Sequence, residues 1–377
     1  MDEIYLDNAA STPTDPRVLD VFITGSKYFS GNPSNIKHRH GRQAKQALEK
    51  ARADIGNLLN LDHRGIIFTS GATEANNFAL RGLGCLQEKN CSVLVSQIEH
   101  PCIDESLKFL IKRGINVVPI PTLPNGLVSL VELEKLLKKV SNPRLISVMA
   151  VNNETGVIQP LEDISRMAKQ HQTLLHTDAV QAIGKVNPQL LKNADMISMS
   201  GHKINGPKGI GCLWVRPDIT LSPLIVGGGQ EAGLRSGTTP VPLIMALAAA
   251  VEISIQDVSW LNNIYPSMAL LERTLANAIP GSVVNGLGAP RVPTTTNISF
   301  PLNTPVIDKV KDVAVSAGSA CGCTKAKPSK VLTAMGRPEN LATNSLRISS
   351  GRATTPQEIM IAQSRLLNAL KLAQLTG

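Results

Sequence analysis

Ser200-Gly201-His202-Lys203-Ile204-Asn205-Gly206-Pro207-Lys208-Gly209 separates two apolar runs: Asp195-Met196-Ile197-Ser198-Met199 before it, Ile210-Gly211-Cys212-Leu213-Trp214-Val215 after it. Both runs read as buried strands. Lys203 therefore sits on a glycine- and proline-punctuated connection between them. A lysine held there can be partly desolvated, which favours the free amine and lets it attack a carbonyl. Alone, the stretch also describes a solvated loop lysine beside Lys208. The residues that lie outward from it decide between the two.

Upstream, the chain alternates. Ile66-Ile67-Phe68-Thr69 is strand-like, Ser70-Gly71-Ala72-Thr73 a turn, and residues 74–88 a helix. Strands follow at 92–98, 115–120, 145–151 and 174–177, with helices at 103–113, 130–140 and 161–171; a helix at 42–59 precedes them. Strand–helix alternation with continuously apolar strands predicts an α/β fold with a mostly parallel sheet covered on both faces. Beyond Gly237 the rhythm changes. Residues 241–255, 265–278 and 356–375 look helical, with a short helix at 306–313 and strands at 294–300 and 346–349. These predict a smaller α+β domain. The expected division is a large domain over 15–255 and a small one over 1–14 and 256–377.

Composition narrows the class. The chain has 377 residues, 42% hydrophobic and 18% charged, ample for a large core. Aromatics are only 3%, which argues against base-stacking nucleic-acid platforms. The net charge of +9 is dispersed, with no basic arm, so direct nucleic-acid binding is not expected. The N-terminus has no signal-peptide pattern and no stretch reaches membrane-spanning length. Cys85, Cys91, Cys102, Cys212, Cys321 and Cys323 fit no zinc-ligand spacing, and no metal is expected. A reduced, cytoplasmic protein is the expectation.

The polar motifs fall at the ends of the apolar runs, where open α/β sheets bind ligands. Ser70-Gly71-Ala72-Thr73 would receive a phosphate on its N–H groups and the helix dipole, with the Thr73 hydroxyl as a further donor; a plain helix cap is the bland alternative. Lysine amines such as that of Lys203 form Schiff bases with pyridoxal phosphate (PLP). Asp178, after Leu174-Leu175-His176-Thr177, can pair with a protonated pyridine nitrogen, or cap the next helix. Gln181 lies three residues on. His100, after Ser96-Gln97-Ile98-Glu99, can stack on an aromatic ring and exchange protons near neutral pH. Ser316-Ala317-Gly318-Ser319-Ala320-Cys321-Gly322-Cys323 has little to bury and reads as a loop presenting a thiol nucleophile.

Taken together the motifs resemble the NifS/IscS-type cysteine desulfurases, in the class V aminotransferase group of fold-type I PLP enzymes. The matching stretches are Tyr5-Leu6-Asp7-Asn8-Ala9-Ala10, Gly31-Asn32-Pro33-Ser34, Thr69-Ser70-Gly71-Ala72-Thr73-Glu74-Ala75-Asn76-Asn77, Val151-Asn152-Asn153-Glu154-Thr155-Gly156, His176-Thr177-Asp178-Ala179-Val180-Gln181, Ser200-Gly201-His202-Lys203, Arg235-Ser236-Gly237-Thr238, Gly318-Ser319-Ala320-Cys321 and Leu346-Arg347-Ile348-Ser349. They run in family order over nearly the whole chain.

The resemblance implies roles. Lys203 holds PLP covalently. Ala72, Thr73, Ser200 and His202 contact its phosphate, with Thr238 supplied by the other subunit of a homodimer. Asp178 pairs with the ring nitrogen and His100 stacks on the ring. Asn153 and Gln181 are polar groups near the ring hydroxyl and the substrate, and Arg347 clamps the substrate carboxylate. It further implies that Lys203 shuttles the α-proton, that the Cys321 thiolate takes sulfur from L-cysteine as a persulfide, and that alanine leaves. The sulfur then passes to an acceptor protein, for iron–sulfur cluster assembly or nucleic-acid thiolation. Three departures stand out: Cys323 makes a Cys-Gly-Cys, Ala232 replaces a residue often arginine, and the chain ends at Gly377 without the longer tail by which IscS-like members dock their scaffold. Two other readings are an aminotransferase or selenocysteine lyase of the same group, and a non-catalytic binding protein. An aminotransferase needs no loop cysteine, so Cys321 speaks against it.

Overall fold

A computed structural model describes residues 3–84, 91–317 and 327–376. In chain order the elements are β1 (Ile4–Tyr5), α1 (Pro16–Tyr28), α2 (Arg39–Leu59), β2 (Ile66–Thr69), α3 (Ala72–Arg81), β3 (Ser92–Ser96), α4 (Pro101–Lys112), β4 (Asn116–Ile120), α5 (Leu130–Lys139), β5 (Pro143–Ser147), α6 (Leu161–Gln170), β6 (Leu174–Asp178), β7 (Met196–Ser200) and β8 (Gly211–Val215). There follow α7 (Val241–Gln256), α8 (Ser259–Ala278), β9 (Val283–Val284), β10 (Thr295–Ser299), β11 (Val313–Ala314), α9 (Lys330–Ala334), α10 (Glu339–Thr343), β12 (Ser345–Ser349) and α11 (Pro356–Leu375).

Seven strands form one sheet in the order β2-β8-β7-β6-β5-β3-β4. All the pairings are parallel except those of β8, which runs against both β2 and β7. The strands are apolar throughout because both faces are covered. Ile66, Phe68, Ile197 and Met199 join the core under α2, α6 and α7, whereas Ile67, Val93, Met196 and Leu213 join the core under α3 and α4. Because β2, β6 and β7 run in the same direction, their carboxyl ends lie at one edge, where the polar motifs sit.

A three-stranded antiparallel sheet, ordered β12-β10-β9, packs with α8 and α11 around its own apolar core of Leu271, Phe300, Ile348 and Leu366. The N-terminal segment reaches this region: β1 pairs with β11, and Asp7 bridges to Ser349. Between the two regions α7 and α8 bend by 67°. Among the described residues no single helix is long and apolar enough to cross a membrane.

Several sequence expectations need correction. Residues 16–28 form a helix that apolar spacing does not reveal, since only Val18 and Gly25 on it are buried; its signals are the Asp15 cap and Pro16 in the first turn. The helix expected at 306–313 is a single 3₁₀ turn, Val306–Lys309, followed by β11, with Asp312 in the left-handed region (φ 56°) between them. The strand expected at 145–151 stops at Ser147, and the next residues turn into the site. The helix expected at 74–88 ends at Arg81, its last positions lying outside the described residues. The later half holds more strands than the expected pair, because two-residue strands carry no period to read.

Candidate active site

A cavity of about 590 Å³ opens where β3, β5, β6 and β7 end, lined among others by Ala72, His100, Asp178, Ser200, Lys203 and Arg347. β7 runs into one 3₁₀ turn, Gly201–Lys203. The turn is tight: the N–H groups of both Ile204 and Gly206 donate to the Gly201 carbonyl, and a Cβ on Gly206 would lie 2.9 Å from that oxygen. The Lys203 ammonium donates to the carbonyls of Ala9 and Ala10, each at 2.7 Å. The strap that carries those carbonyls is itself tied down, since the Thr12 N–H and hydroxyl both donate to the His202 carbonyl. The lysine end is thus placed by residues nearly two hundred positions away.

Beside it stands the first turn of α3. Gly71 has φ 153°, a backbone state side chains rarely allow, and a Cβ there would sit 3.8 Å from Ser200 Oγ. Among the described residues no side chain caps this turn, and Ala72, Thr73, Ser200 and His202 all border the cavity beside it. Burial, then Lys203 and Lys208, push the His202 imidazole down to about 4, so it is neutral at pH 7. Glu74 does not face the ligand space as an unpaired acid: it accepts from the Ser70 N–H and pairs with Arg235 at 2.9 Å.

Asp178, at the end of β6, is buried. Its Oδ1 accepts the Val180 N–H at 3.0 Å and its Oδ2 accepts Asn76 Nδ2 at 2.7 Å. It therefore serves the turn that follows and also faces the cavity. His100 caps α4, its Nδ1 accepting the Cys102 N–H. Burial lowers the pKa of His100, opposed by Asp178 and reinforced by Lys203. Gln181 Nε2 donates to the Ala9 carbonyl, and its Oε1 accepts from Lys185, whose amine burial pushes down to about 7 with help from Lys203 and Arg347.

Arg347 comes from β12 and is only 1% exposed. It donates to the Asn153 carbonyl, to Asp7 Oδ1 at 2.7 Å and to Ser316 Oγ; its Nε has no partner among the described residues. Asn153 is presented by a turn in which Asn152 Oδ1 accepts the N–H groups of Glu154 and Thr155.

One sequence-assigned residue does not border the cavity, and the cysteine assignments are not placed. Thr238 is exposed and does not border this cavity in the single chain. Cys321 and Cys323 lie outside the described residues. The described flanks on either side are held at the cavity's margin: Ser316 exchanges backbone hydrogen bonds with Arg347, and the Ser329 hydroxyl donates to Glu154 at 2.6 Å. Sequence reasoning gave no role to Asp7, Asn76 or Lys185, although each stood in or beside a quoted motif. It passed over Cys102 and Glu99 because neither lies in a spacing that implies chemistry. Their signal is three-dimensional, a polar atom pointed at a cavity residue.

The donor set fits PLP. An amine faces a neutral imidazole and a buried carboxylate across a space large enough for the ring, and an uncapped helix start with a glycine-only conformation lies at one end for the phosphate. Comparisons with known proteins agree. The aminotransferase class-V family profile matches residues 4–361. The chain is 42% identical over 366 residues to the mitochondrial cysteine desulfurase of Drosophila melanogaster, covering 94% of this chain and 78% of that one. It is 39% identical over 384 residues to the cysteine desulfurase IscS of Rickettsia akari, covering 99% and 92%. Among solved structures, a NifS-like protein superposes with a TM-score of 0.89 at 34% identity, covering 98% of this chain and 100% of that one. The structure of SspA in complex with cysteine superposes with a TM-score of 0.81 at 35% identity, covering 92% and 98%.

Proposed function

The chain belongs to the class-V aminotransferase family and is a PLP-dependent cysteine desulfurase, and we propose that it delivers the sulfur of L-cysteine, through a persulfide on Cys321, to an acceptor protein. That acceptor serves iron–sulfur cluster assembly or nucleic-acid thiolation. The observation that carries the division of labour is the meeting of Lys203, His100, Asp178 and Arg347 around one cavity, from four separate stretches of chain.

PLP, when bound, supplies an electron sink for charge that develops at the substrate's α-carbon. The residues that would hold it are Lys203 covalently, Asp178 at the ring nitrogen, His100 against the ring, Gln181 and Asn153 at its polar edge, and Ala72, Thr73, Ser200 and His202 around the phosphate. Thr238 would complete the phosphate site from the second subunit of a homodimer. Arg347 would turn its guanidinium N–H groups, the unpartnered Nε among them, to the cysteine carboxylate, and its ties to Asp7, Asn153 and Ser316 hold it so that little rotamer freedom is lost on binding. Lys203 moves the proton at the substrate Cα. Neutral His100 exchanges a proton nearby. Cys321 gives up its thiol proton and bonds to the substrate sulfur; the carbon–sulfur bond breaks with its electron pair left on carbon, that carbon takes up a proton so that the three carbons leave as alanine, and the sulfur stays as Cys321 persulfide.

The test is sulfide and alanine release from L-cysteine with a thiol reductant, in wild type and Cys321→Ala, alongside the cofactor absorbance of each. The variant is expected to keep its colour and make neither product. Full activity in the variant would sink the assignment of Cys321 and turn attention to Cys323.

A further inference from the structure

We propose that Asn76 and Cys102 are positioning residues, a hydrogen-bonded bridge that joins the Asp178 carboxylate to the His100 imidazole and holds the imidazole neutral with its proton on Nε2. The four residues come from α3, α4, the turn before α4 and the end of β6. Asn76 is fully buried. Its amide nitrogen lies 2.7 Å from Asp178 Oδ2 and 3.2 Å from Cys102 Sγ, so each of its N–H groups has a partner. Cys102 Sγ lies 3.1 Å from His100 Nδ1.

The proton positions follow from counting donors. His100 Nδ1 already accepts the Cys102 N–H at 3.2 Å, so that nitrogen carries a lone pair and no proton. The thiol receives an N–H from Asn76, and the hydrogen it still owns has Nδ1 as its neighbour. The order is therefore carboxylate, amide, thiol, imidazole, each donating toward an acceptor from the amide outward. Burial, with Asp178 adding to it, pushes the Cys102 thiol up to about 12, so it remains a donor and not a competing nucleophile. A donor on Nδ1 favours the neutral ring, since the imidazolium could not accept it. The other charged groups that act on His100 are Asp178 and Asp104, which favour its protonation, and Lys203, which opposes it. The bridge thus works with burial and Lys203, which already disfavour the charged ring, against the pull of Asp178 and Asp104. Bonds in series polarise one another in a buried site, so the pair is expected to act as a unit.

This rests on the reading that His100 and Asp178 hold the cofactor ring. The experiment is nitrogen NMR of the holoenzyme labelled at its seven histidines, with His100 assigned by His100→Gln and titrated from pH 5 to 8. Cys102→Ala is expected to raise the pH at which His100 protonates by about half a pH unit, the worth of one neutral hydrogen bond. Cys102→Ser, which keeps a donor, should restore the wild-type titration. Asn76→Ala should shift it in the same direction, and the double variant should shift it by less than the sum. Turnover in Cys102→Ala should fall a few-fold in kcat with KM little changed. An unchanged titration in Cys102→Ala, or no rescue by serine, would overturn the bridge and leave Cys102 as packing. If His100→Gln retains full turnover and cofactor absorbance, the role of His100 itself fails, whatever the titrations show.

Discussion

The wall of the cavity built on the seven-stranded sheet and the wall contributed by β12 solve the same problem differently. On the sheet wall, Lys203, Asp178 and Ser200 sit at strand ends, where local backbone geometry places the main chain that carries them: the Val180 N–H on Asp178, the tight turn through Gly201 and Gly206 before and after Lys203; only the tips reach distant partners, the Lys203 ammonium at Ala9 and Ala10 and the Asp178 carboxylate at Asn76. On the opposite wall Arg347 lies mid-strand, and distant side chains and carbonyls place it: Asp7 from 340 residues away, Asn153 from 194. The first wall is suited to holding a group whose position never changes. The second holds a charge poised for a guest, and it does so by burying a guanidinium that needs its partners. Groups placed locally should tolerate loss of neighbours; a group placed from afar should not.

The largest expected effect is at the sheet wall. Lys203→Ala should abolish turnover, by a factor of about 10³ or more, because it removes both the covalent tether and the proton carrier. Its thermal midpoint should be nearly unchanged, as the carbonyls to which Lys203 donates belong to a strap that Thr12 also ties. A large fall in thermal midpoint would break the comparison, making the lysine a structural pin. On the other wall the sign of the split reverses. Arg347→Lys should raise KM for cysteine about 100-fold, as a point charge cannot offer two parallel donors. Asp7→Asn should raise it about tenfold, with kcat less affected, since Arg347 keeps Asn153 and Ser316 but loses its carboxylate. Equal loss in kcat and kcat/KM for Asp7→Asn would show that Arg347 acts in the chemical step and not in binding.

The two walls also differ in how far the sequence discloses them. The sheet, its parallel sense and the strand-end motifs are legible because apolar runs and glycine turns are local, and β6 and β7 lie within a residue or two of expectation. Arg347 was legible only through resemblance to a family; nothing in Leu346-Arg347-Ile348-Ser349 says that Asp7 will meet it. The pairing of β1 with β11, α1, and the bridge through Asn76 and Cys102 were illegible for the same reason. Each depends on contacts between stretches far apart in sequence, and two-residue strands or a single buried valine leave no period.

Glu99 sharpens the comparison from behind the sheet wall. Burial pushes its carboxyl up to about 8, eased by the Ser96 hydroxyl and the Met149 N–H on Oε1, while Oε2 has no partner among the described residues. Its folded pKa lies above its unfolded one, so its contribution to stability is full below about pH 4.5 and is lost as pH rises through 8. Glu99→Gln, which cannot ionise, should be more stable than wild type above pH 8 by on the order of a few kcal/mol, relative to the difference at pH 5. Thermal melts at both pH values check this. A pH-independent difference would mean that Glu99 is neutral or charged in both states alike, and that the sheet wall carries no ionisation strain.

The smallest expected effect tests whether the small sheet's region contributes to turnover at all beyond Arg347. α11 opens with a capping box: Thr355 Oγ1 accepts the Glu358 N–H, and Glu358 accepts the Thr355 N–H. Neither residue borders the cavity. Thr355→Ala should cost about 1 kcal/mol of stability, the usual worth of such a cap. Because α11 packs on the core that backs β12, through Ile359 and Leu366 against Ile348, a soft β12 would transmit that loss to Arg347 and raise KM. The ties of Arg347 to Asp7, Asn153 and Ser316 argue that it will not: they fix the guanidinium from the strap, from the turn after β5 and from the segment after β11, not from α11 itself. KM for cysteine within about twofold of wild type, beside a lowered melting temperature, is the expected result; a KM rise without a change in kcat would show that the far wall is held from behind, by packing, as much as from across the cavity.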